Sequence, residues 1–311
     1  MEGLRIARPF AFPALMSLQA FTLIILAGLI HSGWNIVAKK AGGDARFSLY
    51  TAICNAVIWL PLGWWLGKDV VPGWGWMEWA FVTASAVLHV AYFVVLLRGY
   101  RVADLTVVYP LARGSGPLIS SLVAVMFLGE QISTLGAAGI AGVVLGVFLI
   151  AGGPRMIVAI RDGQDLEARQ RVLAGLYYGL LTGLFIASYT VVDSYAVKML
   201  LMSPILVDYM GNLIRLVILA PLAARDWPET KRLWRLQWRY AAVVAFFSPI
   251  AYVLVLYAVQ SAPISHVAPA REVSMLFAAL IGGRLLGEGD RALRIAGAVM
   301  IALGVTALGL G

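Results

Sequence analysis

Of the 311 residues 61% are hydrophobic and only 13% are charged, and apolar runs of about 20 residues, one bilayer crossing each, recur from end to end. That balance excludes a soluble globular chain, which would have too little polar surface left to solvate so many buried helices. The net charge of +8 does not point to nucleic acid, because the Lys and Arg residues sit mostly in short connections between the apolar runs and no nucleic-acid motif accompanies them.

The amino-terminal stretch Met1 to Ser17 carries Arg5 and Arg8 ahead of a long apolar run. That run, Leu18 to Ala38, is long enough to span, is followed by Lys39-Lys40 and shows no small-residue cleavage site, so it reads as a first span and not as a signal peptide. Further spans are predicted over Phe47 to Leu66, Met77 to Leu97, Asp104 to Leu128 and Thr134 to Ala151, separated by Gly, Pro and charge. The lone cysteine, Cys54, lies inside the Phe47 to Leu66 span. It excludes an intramolecular disulfide, offers no metal-ligand spacing and reads as a packing residue.

Pro154 to Arg171 is the longest polar stretch and has no core-forming periodicity, so it reads as a linker between halves. The second half repeats the pattern over Val172 to Ser194, Ser203 to Ala223, Tyr240 to Gln260, Pro263 to Leu286 and Leu293 to Leu310. The expectation is an all-α polytopic membrane protein of ten transmembrane helices. Residues 1–153 form a first five-helix repeat, 154–171 the linker and 172–311 the second repeat.

The two halves share a motif. Tyr109-Pro110-Leu111-Ala112-Arg113 leads through an apolar run to Gly129-Glu130, and Pro269, Arg271 and Gly287-Glu288 answer it in the second half. Both arginines precede their glutamates by seventeen residues, although Pro to Arg is one residue shorter in the second copy. An arginine inside an apolar segment is expensive, so its recurrence at one depth in two halves reads as placement. Gly28, Trp34 and Val37 pair likewise with Gly183, Tyr189 and Val192. The second connections are both Trp-rich, around Trp74, Trp76 and Trp79 and around Trp227, Trp234 and Trp238, as expected at a membrane interface. Lys231 to Arg239 alternates basic and apolar residues, which predicts a short surface helix. Five spans per repeat, an odd number, would invert the second half relative to the first, a signature of transporters that open a cavity alternately to each side.

The twofold Pro-Arg and Gly-Glu motifs and the Gly-rich last span resemble the drug/metabolite transporter superfamily, in its ten-span branch of paired EamA domains. Within that branch, His31-Ser32-Gly33-Trp34-Asn35 leading to Lys39, with Tyr189 to Asp193, resembles a subgroup of bacterial transporters. The resemblance covers almost the whole chain. It implies secondary transport, commonly export, of small metabolites such as amino acids across the bacterial inner membrane.

Arg113 and Arg271 must face a wet cavity or a carboxylate, since a guanidinium facing lipid costs at least about 3 kcal/mol. The alternatives are substrate binding and structural ion pairing. Glu272 follows Arg271 directly, so on a regular helix the two would point to different faces. Arg215 has Asp208 and Asp193 as possible partners. His31 and Asn35 are one turn apart and, with Trp34, make a polar and aromatic face. Tyr92, His89, Tyr109, Tyr189, Tyr209, Asn212 and Tyr252 add aromatic and hydrogen-bonding groups in other spans. The cavity is therefore expected to be lined by His31, Trp34, Asn35, Tyr92, Tyr109, Arg113, Tyr189, Asn212, Tyr252 and Arg271. Glu272, Asp193 and His31 are the candidates for proton coupling, and Glu130 and Glu288 read as helix-end groups facing water.

An enzyme would want a nucleophile with a base or a metal cluster. Three histidines in different spans, with no His-Glu-x-x-His, argue against one, and no cofactor or metal is expected. Nor does anything resemble a selectivity filter. The expected function is a secondary transporter, an exporter, of a small anionic or zwitterionic, amino-acid-like metabolite by alternating access, with protons as the coupling ion. The alternative is a flippase of a lipid-linked or amphiphilic substrate. The expected partners are the substrate, the lipid bilayer and protons, in a monomer or weak dimer with no nucleic acid.

Orientation follows from basic charge. In the ten-span reading the amino-terminal tail and its side of the connections carry 4 Lys and Arg, the opposite side carries 17, and the remaining three are Arg113, Arg215 and Arg271. Both termini are then periplasmic and the Pro154 to Arg171 linker is cytoplasmic. A carboxy-terminal reporter active only in the cytoplasm should stay silent; activity there overturns the orientation.

Overall fold

The computed structural model describes residues 16–42, 45–103, 105–151, 153–154, 157–158, 166–285 and 291–311. Every regular element among them is helical: α1 (Leu18–Ala41), α2 (Ala45–Ile58), α3 (Leu60–Gly67), α4 (Trp76–Val102), α5 (Leu105–Leu128), α6 (Thr134–Ile150), α7 (Leu166–Lys198), α8 (Pro204–Arg225), α9 (Trp227–Ser261), α10 (Ile264–Ala270), α11 (Val273–Leu285) and α12 (Arg291–Leu310). Local chemistry sets several of these ends. Ser17 accepts the Ala20 N–H at 3.1 Å and Ser133 accepts that of Gly136 at 2.9 Å, so each opens its helix with a side-chain oxygen on an otherwise orphan donor. Gly42 closes α1 in the left-handed region at φ 59°, where a side chain would be strained. Helix α7 begins at Leu166, inside the polar stretch read as a linker, and Glu288 lies outside the described residues.

One expectation is met only in part here, and two change. Seven described helices are long and apolar enough to cross a bilayer, eight if α2 and α3 count as one bent span, where the sequence predicts ten. The shortfall has two sources: α6 has only 17 residues, and the Pro263 to Leu286 segment is broken between α10 and α11. The second predicted span is itself bent by 59° at Trp59, because Pro61 lacks the N–H that would bond back to Val57 and its ring crowds that carbonyl. Finally, the surface helix expected over Lys231 to Arg239 is not separate. It is the start of α9, a continuous helix of 35 residues.

The helices pair in a pattern that survives exchange of the two halves. Helix α1 packs on α9 and α11, and α7, its counterpart in the second half, packs on α4 and α5. The α2–α9 contact has its counterpart in α8–α4, while α2–α8 and α6–α12 join equivalent helices directly. The matched glycines show the same exchange at atomic detail. A Cβ on Gly28 would lie 3.2 Å from the Ser274 nitrogen, and one on Gly183 would lie 3.1 Å from the Gly116 nitrogen. Ser274 and Gly116 each stand three residues beyond their repeat's arginine, so the two halves place the same backbone against the same glycine.

Glycine lets backbones close where lipid supplies no hydrophobic drive between helices. At the α6–α12 contact a Cβ on Gly139 would meet the Gly304 carbonyl oxygen at 2.8 Å, and one on Gly146 would meet that of Gly297 at 2.6 Å. Along α7, Gly175, Gly179 and Gly183 recur every fourth residue and face α5.

Proline has a matching role between the halves. Pro269 cannot donate to Ser265, and the freed Ser265 carbonyl accepts instead from the Ser121 hydroxyl of α5 at 3.1 Å. Pro249 likewise frees Ala245, whose carbonyl accepts from the Trp59 indole at 3.0 Å. Both helix defects thus become ties between repeats. Glu130 makes a third tie. It is buried, 5% exposed, and does not face water as its position beside a glycine suggested. One carboxylate oxygen accepts from the Ile264 N–H at 2.8 Å and the other from Ser265 at 2.9 Å, while Lys198 stands 3.8 Å away and donates to the Ala262 carbonyl. The first turn of α10 needs acceptors, and the α5–α6 turn provides them.

Gly139→Leu should therefore destabilise the fold by roughly 1–3 kcal/mol, the usual cost of overpacking. Gly33→Leu, where nothing lies within 4 Å of the added carbon, should be tolerated. Thermal unfolding of the two purified variants checks this, and equal midpoints would reject the close α6–α12 contact.

Candidate functional site

The interruption between α10 and α11 positions the charged cluster. Pro269 weakens the last turn of α10, Arg271 and Glu272 fall in the break, and the Glu272 carboxylate meets Arg113 of α5 in the other half. The Arg113 guanidinium lies 3.1 Å from the Glu272 carboxylate, and the Arg271 Nε lies 3.8 Å from it on the other oxygen. Neighbours on a regular helix would diverge, as the sequence reading supposed. The break removes that restriction, and one carboxylate serves both arginines. Glu272 is almost fully enclosed, at 2% exposure, while Arg113 keeps 21%. Arg113 also reaches the Ser274 hydroxyl at 3.5 Å, and its Nε has no hydrogen-bond partner among the described residues. Two guanidinium groups against one carboxylate leave this cluster with an excess of positive charge.

Tyrosines surround it. Tyr109, one turn before Arg113, donates to the Met275 sulfur at 3.3 Å. Tyr92, Tyr109 and Tyr189 lie within electrostatic range of Arg113, and Tyr189 and Tyr252 within that of Arg271. His89 stacks on Tyr189 with centroids 4.0 Å apart and meets Tyr252 edge-on at 5.8 Å, while Tyr92 meets Tyr189 edge-on at 5.9 Å. Offset and edge-on geometries of this kind make a rigid aromatic wall.

A second acidic group stands behind that wall. Asp193 is 1% exposed and accepts a hydrogen bond from the Tyr252 hydroxyl, while its Oδ1 has no partner among the described residues. Arg215 does not take it: that guanidinium pairs with Asp208 at 3.3 Å. A cavity of about 10 Å³, room for roughly one water, lies between Thr190, Ser194, Tyr252 and Arg271. The Ser194 hydroxyl that lines it is also unpartnered.

Of the residues singled out in the sequence, Arg113, Arg271, Glu272, Tyr92, Tyr109, Tyr189 and Tyr252 converge, and His31 lies within electrostatic range of both arginines. Trp34 meets His31 edge-on at 4.6 Å but packs into a satellite core with Phe47, Tyr50, Ala241 and Val244. Asn35 donates to the His31 carbonyl of its own helix at 2.9 Å. Asn212 donates to the Ala52 carbonyl at 3.1 Å, tying α8 to α2. Ser274 and Met275 were not legible as site residues, because neither type is unusual in an apolar helix. Among the described residues no group of three or more His, Cys, Asp or Glu could hold a metal.

Comparison with known proteins agrees with this architecture. No curated protein matches the chain by sequence. Twenty-eight solved chains match in fold, so the arrangement recurs. One of them, described only as "Crystal structure of protein", superposes with a TM-score of 0.71 at 12% identity, over 93% of this chain and 97% of that one. The model of the EamA-like transporter family matches residues 18–152 and again 173–310, one match for each half. With two such domains and helices apolar enough to cross a membrane, the chain belongs to the EamA-like transporter family, and is a multi-pass membrane transporter of the drug/metabolite type.

Proposed function

We propose that this transporter moves a small anionic or zwitterionic, amino-acid-like metabolite, as an exporter, by alternating access. The observation that carries the reading is that Arg113 and Arg271, one from each half, share a single carboxylate on Glu272. Glu272 acts as a built-in surrogate anion: a substrate carboxylate arriving between the arginines takes over their ion pairing, adds the charge-assisted hydrogen bonds a guanidinium fork can make, and releases Glu272. The unpartnered Arg113 Nε supports this role, and the tyrosine wall offers faces for the organic part of the substrate. Once released, Glu272 is a buried carboxylate with no cation, which favours uptake of a proton. Asp193 and His31 are the other groups suited to proton coupling.

In this reading the chain crosses the membrane ten times, with α2–α3 and α10–α11 each a single interrupted span. Residues 1–153 and 172–311 are inverted repeats joined by the linker at 154–171. The protein sits in the bacterial inner membrane as a monomer or weak dimer with both termini periplasmic. The Glu130 tie, which joins the α5–α6 turn to α10 and α7, closes the periplasmic end. The exchange of helix contacts between halves supports a two-state rocking motion.

Comparing metabolites inside and outside cells that lack or overproduce the protein would name the substrate and the direction of flux. Arg113→Gln and Arg271→Gln should then lower its transport by roughly 30-fold or more, the effect of removing one partner of a buried charge pair. Thermal midpoints should stay close to that of the parent. Normal transport by stably folded variants would reject the binding role, and loss of folding in both would assign the arginines to bracing alone.

A further inference from the structure

Helix α9 is longer than a bilayer requires. Its 35 residues extend about 52 Å at 1.5 Å per residue, against a hydrocarbon core of about 30 Å. Its first dozen residues, a rise of about 18 Å, therefore stand in the headgroup layer and beyond it, and three contacts hold them there. Tyr50 donates to the Thr230 carbonyl at 2.7 Å, Gln237 donates to the Ala41 carbonyl at 3.2 Å, and Arg46 pairs with Asp226 at 3.2 Å. Away from these ties the helix exposes Lys231, Arg235, Trp238 and Arg239, whose spacing puts them on one face. Arg232 is occupied by Glu229 at 2.7 Å, but among the described residues no acid reaches Lys231 or Arg235.

The same face continues into the membrane. Phe246 is exposed on it and stacks on Trp59, with centroids 5.6 Å apart. One turn further, Pro249, Ile250 and Val253 line a mostly apolar cavity of about 180 Å³ with Leu62 of α3 and Ile205 of α8, bordered also by Asn55 and Asp208. Trp59, at the 59° bend, and Leu62 and Gly63 of α3 just beyond it line this cavity. From Arg235 to Ile250 the helix rises about 22 Å, close to the depth of one leaflet with its headgroups.

The geometry points to a site for an anionic phospholipid on α9. Its phosphate lies among Lys231, Arg235 and Arg239, Trp238 stands at the interface, and one acyl chain runs along Phe246 into the cavity beside the bend. Charge complementarity selects the headgroup. The apolar track beneath it selects a lipid over a soluble phosphate, which would leave the cavity unfilled. A bound lipid braces α3 against α8 and α9, so membrane composition acts on the stability of the protein. This inference is independent of what the transporter carries.

The test uses the purified full chain in a neutral detergent, with dioleoyl phosphatidylglycerol or dioleoyl phosphatidylcholine added in equal amounts. Thermal unfolding and native mass spectrometry of retained lipid are the readouts. Phosphatidylglycerol should be retained preferentially and should raise the midpoint further. The combined substitution Lys231→Gln, Arg235→Gln and Arg239→Gln should weaken its binding roughly 100-fold, at about 1 kcal/mol for each basic group. Val253→Trp fills the cavity from within, and should weaken the dioleoyl lipid while leaving dihexanoyl phosphatidylglycerol unaffected. Equal retention of the two dioleoyl lipids by the parent protein overturns the site. So does a triple variant that keeps the parent's preference, or dihexanoyl lipid bound as tightly as dioleoyl.

Discussion

Two guanidinium groups enclosed in an apolar bundle must have a carboxylate within reach, and the structure around Glu272 is arranged to meet that demand. Arg113 comes from the first half and Arg271 from the second, so the shared carboxylate at 3.1 and 3.8 Å also joins the halves. Removing Glu272 would leave both guanidinium groups uncompensated in a poorly solvated place, which is far costlier than the cluster itself is stabilising, whereas removing one arginine leaves the carboxylate the other. The break at Arg271 and Glu272 follows from the same demand. On an unbroken helix Arg271 and Glu272 would point to different faces, and Pro269 permits the turn that brings them together.

The rest of the bundle supplies rigidity by means suited to lipid. Gly139 and Gly146 meet Gly304 and Gly297 at backbone contact, and Gly175, Gly179 and Gly183 give α5 a close approach to α7. Carbonyls freed by Pro249 and Pro269 are taken by Trp59 and Ser121 from the other half. Polar ties of this kind are few and discrete. The proposed rocking motion would break only a small set of them, such as the Glu130 grip on the first turn of α10, whose Ile264 and Ser265 N–H groups would then need water as acceptor.

Much of this was legible in the sequence, for identifiable reasons. The charge deficit and the 20-residue apolar periodicity fixed the membrane class, and the doubled Pro-Arg motif marked the repeat and its two arginines. The equivalence of Gly28 and Gly183, inferred from spacing, appears in space as matched contacts with Ser274 and Gly116. What escaped depended on helix breaks and on partners distant in the chain. The split of α10 from α11 made Glu272 a partner of Arg271, and the cavity beside α9 is lined by residues on both sides of the bend at Trp59. Glu130 looked like a solvated loop end because its acceptor role depends on Ile264 and Ser265, more than 130 residues away. Asn35 and Asn212 were legible as polar groups in spans, but their carbonyl partners His31 and Ala52 were not.

The central claim is that the Arg113, Glu272 and Arg271 cluster presents net positive charge to whatever enters, and its most direct test needs no substrate. A single cysteine at Ser274, which lies 3.5 Å from Arg113, would be introduced with Cys54 replaced by serine. Its rates of reaction would be compared for sulfonatoethyl and trimethylammonioethyl methanethiosulfonate, two reagents of similar size and opposite charge, each scaled to a free thiol. Burial slows both alike, so their ratio reports the local field. One unbalanced charge about 5 Å away is worth about 3 kcal/mol at an effective dielectric of 20. The account predicts that the anionic reagent is favoured by at least about tenfold, and that Arg113→Gln erases most of the preference. Equal rates, or a faster cationic reagent, would contradict it.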